Sequence, residues 1–318
     1  MNSFNVVITH HGFPNIEQEK RVIETAGGNV MEVHGESPDE LIAATREADA
    51  LLVQHSPITA EVIDALNNCK IIVRYGIGVD NVDLDAAKAK GIPVCNVPDY
   101  GVDEVADHAV SLALTLGRQL PQIDLRLRGG EWKITPISPM PAFREMTFAT
   151  AGFGRIGRAV LARASGFKFK LAAYDPFVDA DTMTEVGVTK FSLDELFAQA
   201  DILSLHLPLS PETQHLVNAA RLQEMKSHAI LVNTARGALI DTVALANALQ
   251  ERVVAYAGLD VFEEEPLNQD HPLLSCQNAL LTSHVAWFSE SSVPLLQRLA
   301  AEEVVRGIQN EPLKNQIK

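Results

Sequence analysis

Short runs of aliphatic and β-branched residues alternate with longer amphipathic stretches along the first part of the chain. The short runs have the near-continuous hydrophobicity of strands that are buried on both faces. The stretches between them begin with Pro or Thr, which are helix start signals. The pattern predicts strands at 5–9, 29–33, 50–54, 70–74 and 92–97, and helices at 14–26, 38–48 and 59–66. Repeated strand–helix units of this kind predict an α/β fold whose parallel sheet is covered on both faces.

A second alternating series follows a break in the pattern. A long helix rich in Ala, Leu and Val is predicted at 103–117, and the segment 120–144 has paired glycines, several prolines and no clear period. We interpret this segment as an arm or covering loop, with contact between subunits as one use. The pattern then predicts strands at 147–151, 171–174, 202–207, 229–233, 254–259 and 279–282, and a last helix at 291–309. Six strands are typical of a dinucleotide-binding sheet.

Length and charge narrow the class of protein. A chain of 318 residues with 47% hydrophobic content is long enough for two domains, because single cores stop growing at about 250 to 300 residues. The net charge of −15 disfavours nucleic acid and anionic membranes as partners. Cys69, Cys95 and Cys276 are too far apart for a CxxC motif, and no export signal or membrane span is evident. We expect reduced thiols, a cytoplasmic location and no metal site.

A glycine motif lies between a predicted strand and a predicted helix. Gly152, Gly154 and Gly157 form GxGxxG, in which the glycines permit a tight turn, a close backbone approach to a pyrophosphate and close helix packing. Asp175 ends the next strand, where a carboxylate can accept hydrogen bonds from both ribose hydroxyls and would repel a 2′-phosphate. The motif therefore predicts NAD rather than NADP as cofactor. A turn aspartate before Pro176 is the alternative for that residue.

Polar residues follow the later strands at the edge where ligands bind in open parallel sheets. Arg236, Asp260 and His284 each end or follow one strand, and Glu265 lies in the acidic loop after Asp260. Arg236 would bind a carboxylate in a fork, and His284 would exchange a proton with a ketone oxygen. Glu265, if bonded to the imidazole, would stabilise its protonated form. Each residue taken singly could also be a surface ion pair or a solvated loop group.

Longer motifs then carry a resemblance to a known family. The runs NTARG at 233–237, LDVFEEEP at 259–266, SHVAW at 283–287, VRYGIGVDN at 73–81 and VCNVP at 94–98 closely resemble the D-isomer-specific 2-hydroxyacid dehydrogenases. The likeness covers essentially the whole chain and is greatest to the phosphoglycerate dehydrogenase and C-terminal-binding-protein corepressor branch. Thr242 departs from the family, which commonly has an acidic residue there.

The resemblance implies two doubly wound parallel-sheet domains. A Rossmann NAD-binding domain would span 100–286, and a discontinuous, flavodoxin-like substrate-binding domain would comprise 1–99 and 287–318. Members are usually dimers joined through the nucleotide domain, with the active site in the cleft between domains. A homodimer is therefore expected.

The resemblance also assigns roles to single residues. By that match the catalytic residues are Arg236, Glu265 and His284. The cofactor contacts are Gly152, Gly154, Arg155, Ile156, Gly157, Asp175, Thr234, Ala235, Arg236, Asp260 and His284. The substrate contacts are Arg74, Tyr75, Gly76, Ile77, Gly78, Arg236, His284 and Trp287. Trp287 would form an apolar wall that favours a less polar 2-oxo acid, or would pack between the domains.

Three functions are consistent with these residues. The leading hypothesis is an NAD-dependent oxidoreductase that interconverts a D-2-hydroxy acid and its 2-oxo acid, with His284 as general acid and base. The second is an NADH-sensing interaction protein like the corepressors. The long tail that such corepressors usually carry is not seen after the last helix, which disfavours this hypothesis. The third is phosphoglycerate dehydrogenase proper, to whose phosphate pocket Arg74 would contribute.

Overall fold

The computed structural model describes residues 3–34 and 37–317. The chain divides into two compact units, one formed by Met1–Gly101 and Phe288–Lys318 and the other by Val102–Trp287. These boundaries lie within two residues of the domain boundaries expected from the resemblance. Within the described ranges, no helix has both the length and the apolar character needed to cross a membrane.

The elements alternate along the described chain. The strands are β1 Phe4–Ile8, β2 Gly28–Glu32, β3 Ala50–Val53, β4 Ile71–Arg74, β5 Val94–Cys95, β6 Thr147–Ala151, β7 Lys170–Tyr174, β8 Thr189–Lys190, β9 Ile202–Leu205, β10 Ile230–Asn233, β11 Tyr256–Leu259 and β12 Ala279–Leu281. The α-helices are α1 Glu17–Thr25, α2 Pro38–Thr45, α3 Ala60–Ala65, α4 Leu84–Ala89, α5 Val102–Gly117, α6 Leu120–Arg128, α7 Arg155–Ser165, α8 Ala180–Thr184, α9 Leu193–Gln199, α10 Ala219–Glu224, α11 Thr242–Gln250 and α12 Ser292–Gln309. Short 3-10 helices lie at Phe143–Glu145, Gly237–Leu239 and Pro272–Ser275.

The first unit contains a five-stranded parallel sheet in the order β2-β1-β3-β4-β5. This is the flavodoxin-like order. The C-terminal helix α12 packs on α1, β3 and β4, and Gly307 permits the approach, because a Cβ there would lie 2.6 Å from Ile71 Cδ1. The last segment of the chain therefore completes the core of the unit that the first segment begins.

The second unit contains a seven-stranded parallel sheet in the order β12-β11-β10-β9-β6-β7-β8. Its first strand, β6, is central and has β7 on one side and β9 on the other, which is the Rossmann arrangement. All residues of β9, β10 and β11 are buried, as expected for strands covered by helices on both faces. The predicted fold class of two doubly wound α/β domains is confirmed.

Three local predictions were wrong. The second sheet has seven strands rather than six, because β8 is a two-residue edge strand that is too short to produce a hydrophobic run. The segment 120–144 begins with the helix α6, whose apolar side chains are largely exposed and so show no buried face. The predicted strand at 92–97 is reduced to β5. It begins after Pro93, because proline cannot donate to a ladder, and it ends before Asn96, whose N–H donates to the Asn315 carbonyl.

Candidate active site

The glycine motif forms a tight turn between β6 and α7. Gly152 has a φ of +100°, and a Cβ there would lie 2.6 Å from the His206 carbonyl oxygen. A Cβ on Gly157 would lie 2.2 Å from the Gly152 carbonyl oxygen. Only glycine fits at these two positions, because a side chain would overlap backbone atoms.

The turn has the properties of a dinucleotide-binding site. Gly154 is the N-cap residue of α7, and no side chain forms a capping hydrogen bond to this helix end. A Cβ on Gly154 would have no described neighbour within 4 Å. The space in front of the first N–H groups of α7 is therefore open to an anion such as pyrophosphate. Arg155 and Ile156 begin the helix, and Ile156 packs partly against the core of the unit.

Asp175 lies where a ribose-binding carboxylate is needed. It directly follows β7, its Oδ2 accepts the Phe153 N–H at 2.9 Å and its Oδ1 accepts the Phe177 N–H at 2.9 Å. The two backbone bonds orient the carboxylate, and each oxygen keeps a lone pair for a further donor. The Asp175 carboxylate and the glycine turn together fit the adenosine side of NAD.

His206 is a residue that the sequence interpretation missed. It follows β9, which neighbours β6 at the point where the strand order reverses, so its position was a usable signal. Its Nε2 pairs with Ser204 Oγ at 2.8 Å, and Nδ1 has no partner among the described residues. Burial lowers the pKa of His206 to about 3, so the ring is neutral.

The strand end after β10 places Arg236. Asn233 closes the turn, because its Oδ1 accepts the Ala235 N–H at 3.0 Å and its Nδ2 donates to the Arg236 carbonyl at 2.8 Å. Arg236 Nη1 donates to the Ala235 carbonyl at 2.7 Å, which fixes part of the guanidinium against the turn. Thr234 Oγ1 is buried and has no partner among the described residues, so it is available to a bound group.

His284 has an uncommon backbone conformation that Asp260 stabilises. Its φ is +56°, in the left-handed region that non-glycine residues seldom adopt. Its N–H donates to the Asp260 carbonyl at 2.7 Å, and Trp287 Nε1 donates to the His284 carbonyl at 2.9 Å. The buried Asp260 carboxylate accepts the Val285 N–H at 3.0 Å and the Ala286 N–H at 2.9 Å.

A second residue that the sequence did not reveal supports this loop. His108, on α5, approaches Thr282 Oγ1 at 3.0 Å, and Thr282 donates its single hydroxyl proton to Asp260 Oδ1 at 2.6 Å. His108 Nε2 must therefore donate to Thr282. Because 174 residues separate the two, no local pattern could have indicated the contact.

Glu265 contacts the imidazole directly. Its Oε2 lies 2.6 Å from His284 Nδ1, and its Oε1 accepts the Phe262 N–H at 2.9 Å. Burial raises the pKa of Glu265, but the hydrogen bond and charge of His284, the Phe262 N–H and the Arg236 charge outweigh burial and lower it. Glu265 is therefore an ionised partner for His284, and the structure brings these two residues and Arg236 to the same edge of the sheet.

The predicted substrate loop lies in the first unit, directly after β4. Gly76 has a φ of +118°, and a Cβ there would lie 2.0 Å from Arg74 Nη1. Asn96 Nδ2 donates to the Ile77 carbonyl at 2.7 Å. Gly78 and Arg74 are half-buried.

Tyr75 differs from the expectation for this loop. Its side chain is 1% exposed and its hydroxyl lies 2.7 Å from Glu19 Oε1, inside the core of the first unit. The phenol is therefore a structural group and does not present itself to a ligand. Among the described residues, no group of three or more His, Cys, Asp or Glu side chains could hold a metal ion.

Known proteins share this architecture. The family profile described as D-isomer specific 2-hydroxyacid dehydrogenase, NAD binding domain, matches residues 110–286. The chain is 42% identical over 254 residues to D-3-phosphoglycerate dehydrogenase from Mycobacterium tuberculosis, which covers 80% of this chain and 48% of that protein. It is 39% identical to glyoxylate reductase from Thermofilum pendens over 86% of this chain and 83% of that protein.

Solved structures agree with the sequence matches. D-lactate dehydrogenase from Aquifex aeolicus, in complex with NAD and lactic acid, superposes with a TM-score of 0.88 at 27% identity over 96% of each chain. The chain spans about half the length of the D-3-phosphoglycerate dehydrogenases that it matches. The matches confirm the predicted NAD cofactor, and the chain belongs to the D-isomer-specific 2-hydroxyacid dehydrogenase family.

Proposed function

We propose that this protein interconverts a D-2-hydroxy acid and its 2-oxo acid with NAD. The observation that supports this most is the pairing of His284 Nδ1 with Glu265 Oε2 at 2.6 Å. That contact leaves Nε2 as the ring nitrogen without a partner among the described residues, on a side chain that is 43% exposed. An imidazole held in this way can exchange a proton with a substrate oxygen.

The residues of the second unit have distinct parts in the proposed reaction. Bound nicotinamide supplies or accepts the hydride. His284 holds the proton at Nε2, gives it to the ketone oxygen during reduction, and takes it back from the hydroxyl during oxidation. Glu265 stabilises the protonated ring, and Arg236 binds the substrate carboxylate through two N–H groups and polarises the neighbouring carbonyl.

The cofactor preference is part of the proposal. Asp175 carries a negative charge where the adenosine ribose would bind, and a 2′-phosphate there would be repelled. Gly154 supplies an open approach to the helix N-terminus, and Thr234 supplies a buried hydroxyl along the same edge. We propose NAD rather than NADP as the working cofactor.

The proposed substrate is a small 2-oxo acid. The relatives described above are named for phosphoglycerate, glyoxylate and lactate, which share a carboxylate beside the reacting carbon. We propose that Trp287 favours a less polar side chain, while backbone groups of the loop from Arg74 to Gly78 contribute to substrate binding. Phosphoglycerate is the alternative, and a preference for phosphorylated substrates in a panel would identify it.

His284 is the residue to test. His284→Asn should lower kcat for 2-oxo acid reduction by about 10²- to 10⁴-fold, which is the usual contribution of a general acid, while NADH binding stays largely intact. His34→Asn is the control, because His34 is an exposed histidine of the other unit. A variant with unchanged turnover, or a wild-type protein that binds NADH and reduces none of a broad panel of 2-oxo acids, would contradict the proposal.

We also propose a homodimer formed through the second unit. α6 and the segment after it expose many large apolar side chains: Leu120, Ile123, Leu125, Leu127, Trp132, Ile134 and Ile137. Monomeric proteins rarely expose a contiguous apolar surface of this kind. Leu125→Glu should halve the mass in sedimentation equilibrium, and Val186→Glu, at another exposed apolar position, should not. No nucleic-acid partner is proposed, and the cytoplasmic location stays a prediction.

A further inference from the structure

Glu263 is the centre of a polar network beside the proposed active site. Its Oε1 lies 2.5 Å from His215 Nε2, and its Oε2 accepts both the Thr242 N–H at 3.0 Å and the Thr242 hydroxyl. His271 Nε2 lies 3.2 Å from Thr242 Oγ1. We call these four side chains, Glu263, His215, Thr242 and His271, the Glu263 brace.

The direction of each hydrogen bond follows from the donors present. The single hydroxyl proton of Thr242 goes to Glu263, so His271 must donate to Thr242 from Nε2. The Leu273 N–H donates to His271 Nδ1 at 3.2 Å, which agrees with a ring that carries its proton on Nε2. The chain of donors therefore runs from His271 through Thr242 to the Glu263 carboxylate.

His215 contributes from a conformation that needs support. Its φ is +49°, in the left-handed region, and its N–H donates to the Ala238 carbonyl at 2.8 Å. A non-glycine residue persists there only when the surrounding structure holds it, and such residues cluster at functional sites. The contact with Glu263 is one of the interactions that hold it.

The brace lies against the backbone that carries the proposed catalytic groups. A Cβ on Gly237 would lie 1.8 Å from the Phe262 carbonyl carbon and 2.4 Å from the Glu263 nitrogen, so the segment that contains Arg236 touches the loop before Glu265. The Phe262 N–H also donates to Glu265 Oε1. A displacement of Glu263 would thus move the carboxylate that contacts His284.

We propose that His215, Thr242 and His271 are positioning residues, which act through Glu263 to hold Glu265 against His284. The inference rests on the proposed function in one respect, since it assigns the brace to the proton exchange at His284. Thr242 is buried, with 3% exposure, so its hydroxyl cannot be replaced by water without rearrangement. The charged and titratable groups around His284 are Glu265, Asp260 with His108 behind it, and Arg236.

Thr242→Val tests the brace without changing any charge. Loosening of Glu265 should lower kcat for ketone reduction by about 3- to 10-fold and move the high-pH loss of activity down by about 0.5 pH unit. The midpoint of the His284 ring resonance in an NMR titration, recorded without substrate, should move in the same direction. Thr242→Ser keeps the hydroxyl and should retain the wild-type kcat and the wild-type midpoint. Val243→Ala, at the exposed neighbouring residue, should leave both quantities unchanged.

His215→Gly provides a second variant that folds easily, because glycine adopts the left-handed conformation without strain. An imidazole can carry only a positive charge, so its removal cannot disfavour protonation of His284 electrostatically. A downward shift in this variant therefore reports loosening rather than charge. Wild-type midpoints in both Thr242→Val and His215→Gly would overturn the proposal. A shifted NMR midpoint in a protein that reduces no 2-oxo acid would support the brace and contradict the proposed function instead.

Discussion

Asp260 binds His284 through its backbone and the residues after His284 through its side chain. The Asp260 carbonyl accepts the His284 N–H at 2.7 Å, while the carboxylate accepts the two following N–H groups and the Thr282 hydroxyl. Asp260 itself is completely buried at the end of β11. The left-handed conformation of His284 is therefore maintained by a residue of the neighbouring strand end.

Asp260→Asn should weaken this support. An amide places N–H donors against backbone donors, and an unsatisfied buried group costs about 1 to 3 kcal/mol. We expect the Asp260→Asn variant to have a free energy of unfolding that is lower by this amount, measured by urea titration, and a lower kcat. Asp270→Asn is the matched control, since Asp270 is exposed, and it should change neither quantity. Equal stability of the Asp260→Asn variant and the wild type would show that the carboxylate is not required.

Glu265→Gln should change the pH dependence of ketone reduction. In the proposed reaction, reduction needs protonated His284, and an opposite charge at hydrogen-bond distance favours that form. Without the carboxylate the ring loses its proton at lower pH, so the high-pH loss of kcat should move down by about 1 pH unit. Glu264→Gln removes an equal charge from the exposed neighbouring residue. The same shift in both variants would assign the effect to general electrostatics rather than to the contact.

Gly154→Ala should separate cofactor binding from folding. A methyl group at this position meets no described atom within 4 Å, so the unfolding free energy should fall only by the cost of an alanine N-cap, about 1 kcal/mol. The Kd for NADH, measured by fluorescence, should rise at least about tenfold, because the methyl group occupies the approach to the helix N-terminus. An unchanged Kd would mean that the pyrophosphate does not bind there.

Gly157→Ala is the contrasting variant at the same turn. Its methyl group would lie 2.2 Å from the Gly152 carbonyl oxygen, so the backbone has to move. Overpacking of this kind costs about 1 to 3 kcal/mol. We therefore expect the Gly157→Ala variant to lose more stability in the absence of cofactor than the Gly154→Ala variant does.

Asp175→Asn should reduce the preference for NADH over NADPH. Removal of the negative charge relieves repulsion of the 2′-phosphate and weakens acceptance from the ribose hydroxyls. The ratio of the two Kd values should change by at least about tenfold, which is about 1.4 kcal/mol. Asp179→Asn is the control, because Asp179 is an exposed helix N-cap on the next loop. A ratio that changes equally in both variants would argue against a direct ribose contact.

Asp201 should make stability depend on acid pH. Its Oδ1 accepts Lys226 Nζ at 2.8 Å and lies 2.7 Å from His228 Nε2, and its Oδ2 accepts the Thr147 N–H at 2.6 Å. Burial raises the pKa of Asp201, but these three partners outweigh burial and lower it below the usual 3.8. A lowered folded pKa gives stability that is complete above pH 3.8 and declines as the pH falls toward the folded value.

Asp201→Asn should therefore cost about 1.5 to 3 kcal/mol in unfolding free energy at neutral pH, and the difference from wild type should shrink below pH 4. Asp194→Asn is a matched control, because it breaks the ion pair between Asp194 and Arg221. The Asp194 carboxylate in that pair is 84% exposed. Exposed pairs contribute about 0 to 1 kcal/mol. A difference for Asp201→Asn that persists unchanged at low pH would contradict ionisation as its cause.

Features carried by neighbouring residues were predictable from the sequence. The alternation of buried strands with helices indicated two α/β sheets, and Gly152, Gly154 and Gly157 indicated the turn between β6 and α7. Arg236 and His284 were predictable candidates because each follows a strand, and the ends of parallel strands meet at one edge. These inferences need only local periodicity and the rule for parallel sheets.

The sequence by itself determined the fold class, the family and the candidate chemistry, since each depends on residues close together in the chain. Only the tertiary structure decided that Tyr75 is buried against Glu19, that His108 supports Thr282, and that Thr242 and His215 both meet Glu263. These contacts join segments brought together by strand order and helix packing. Such contacts could not be predicted because the partner of a side chain depends on the geometry of the sheet. The distance between two residues along the sequence does not encode that geometry.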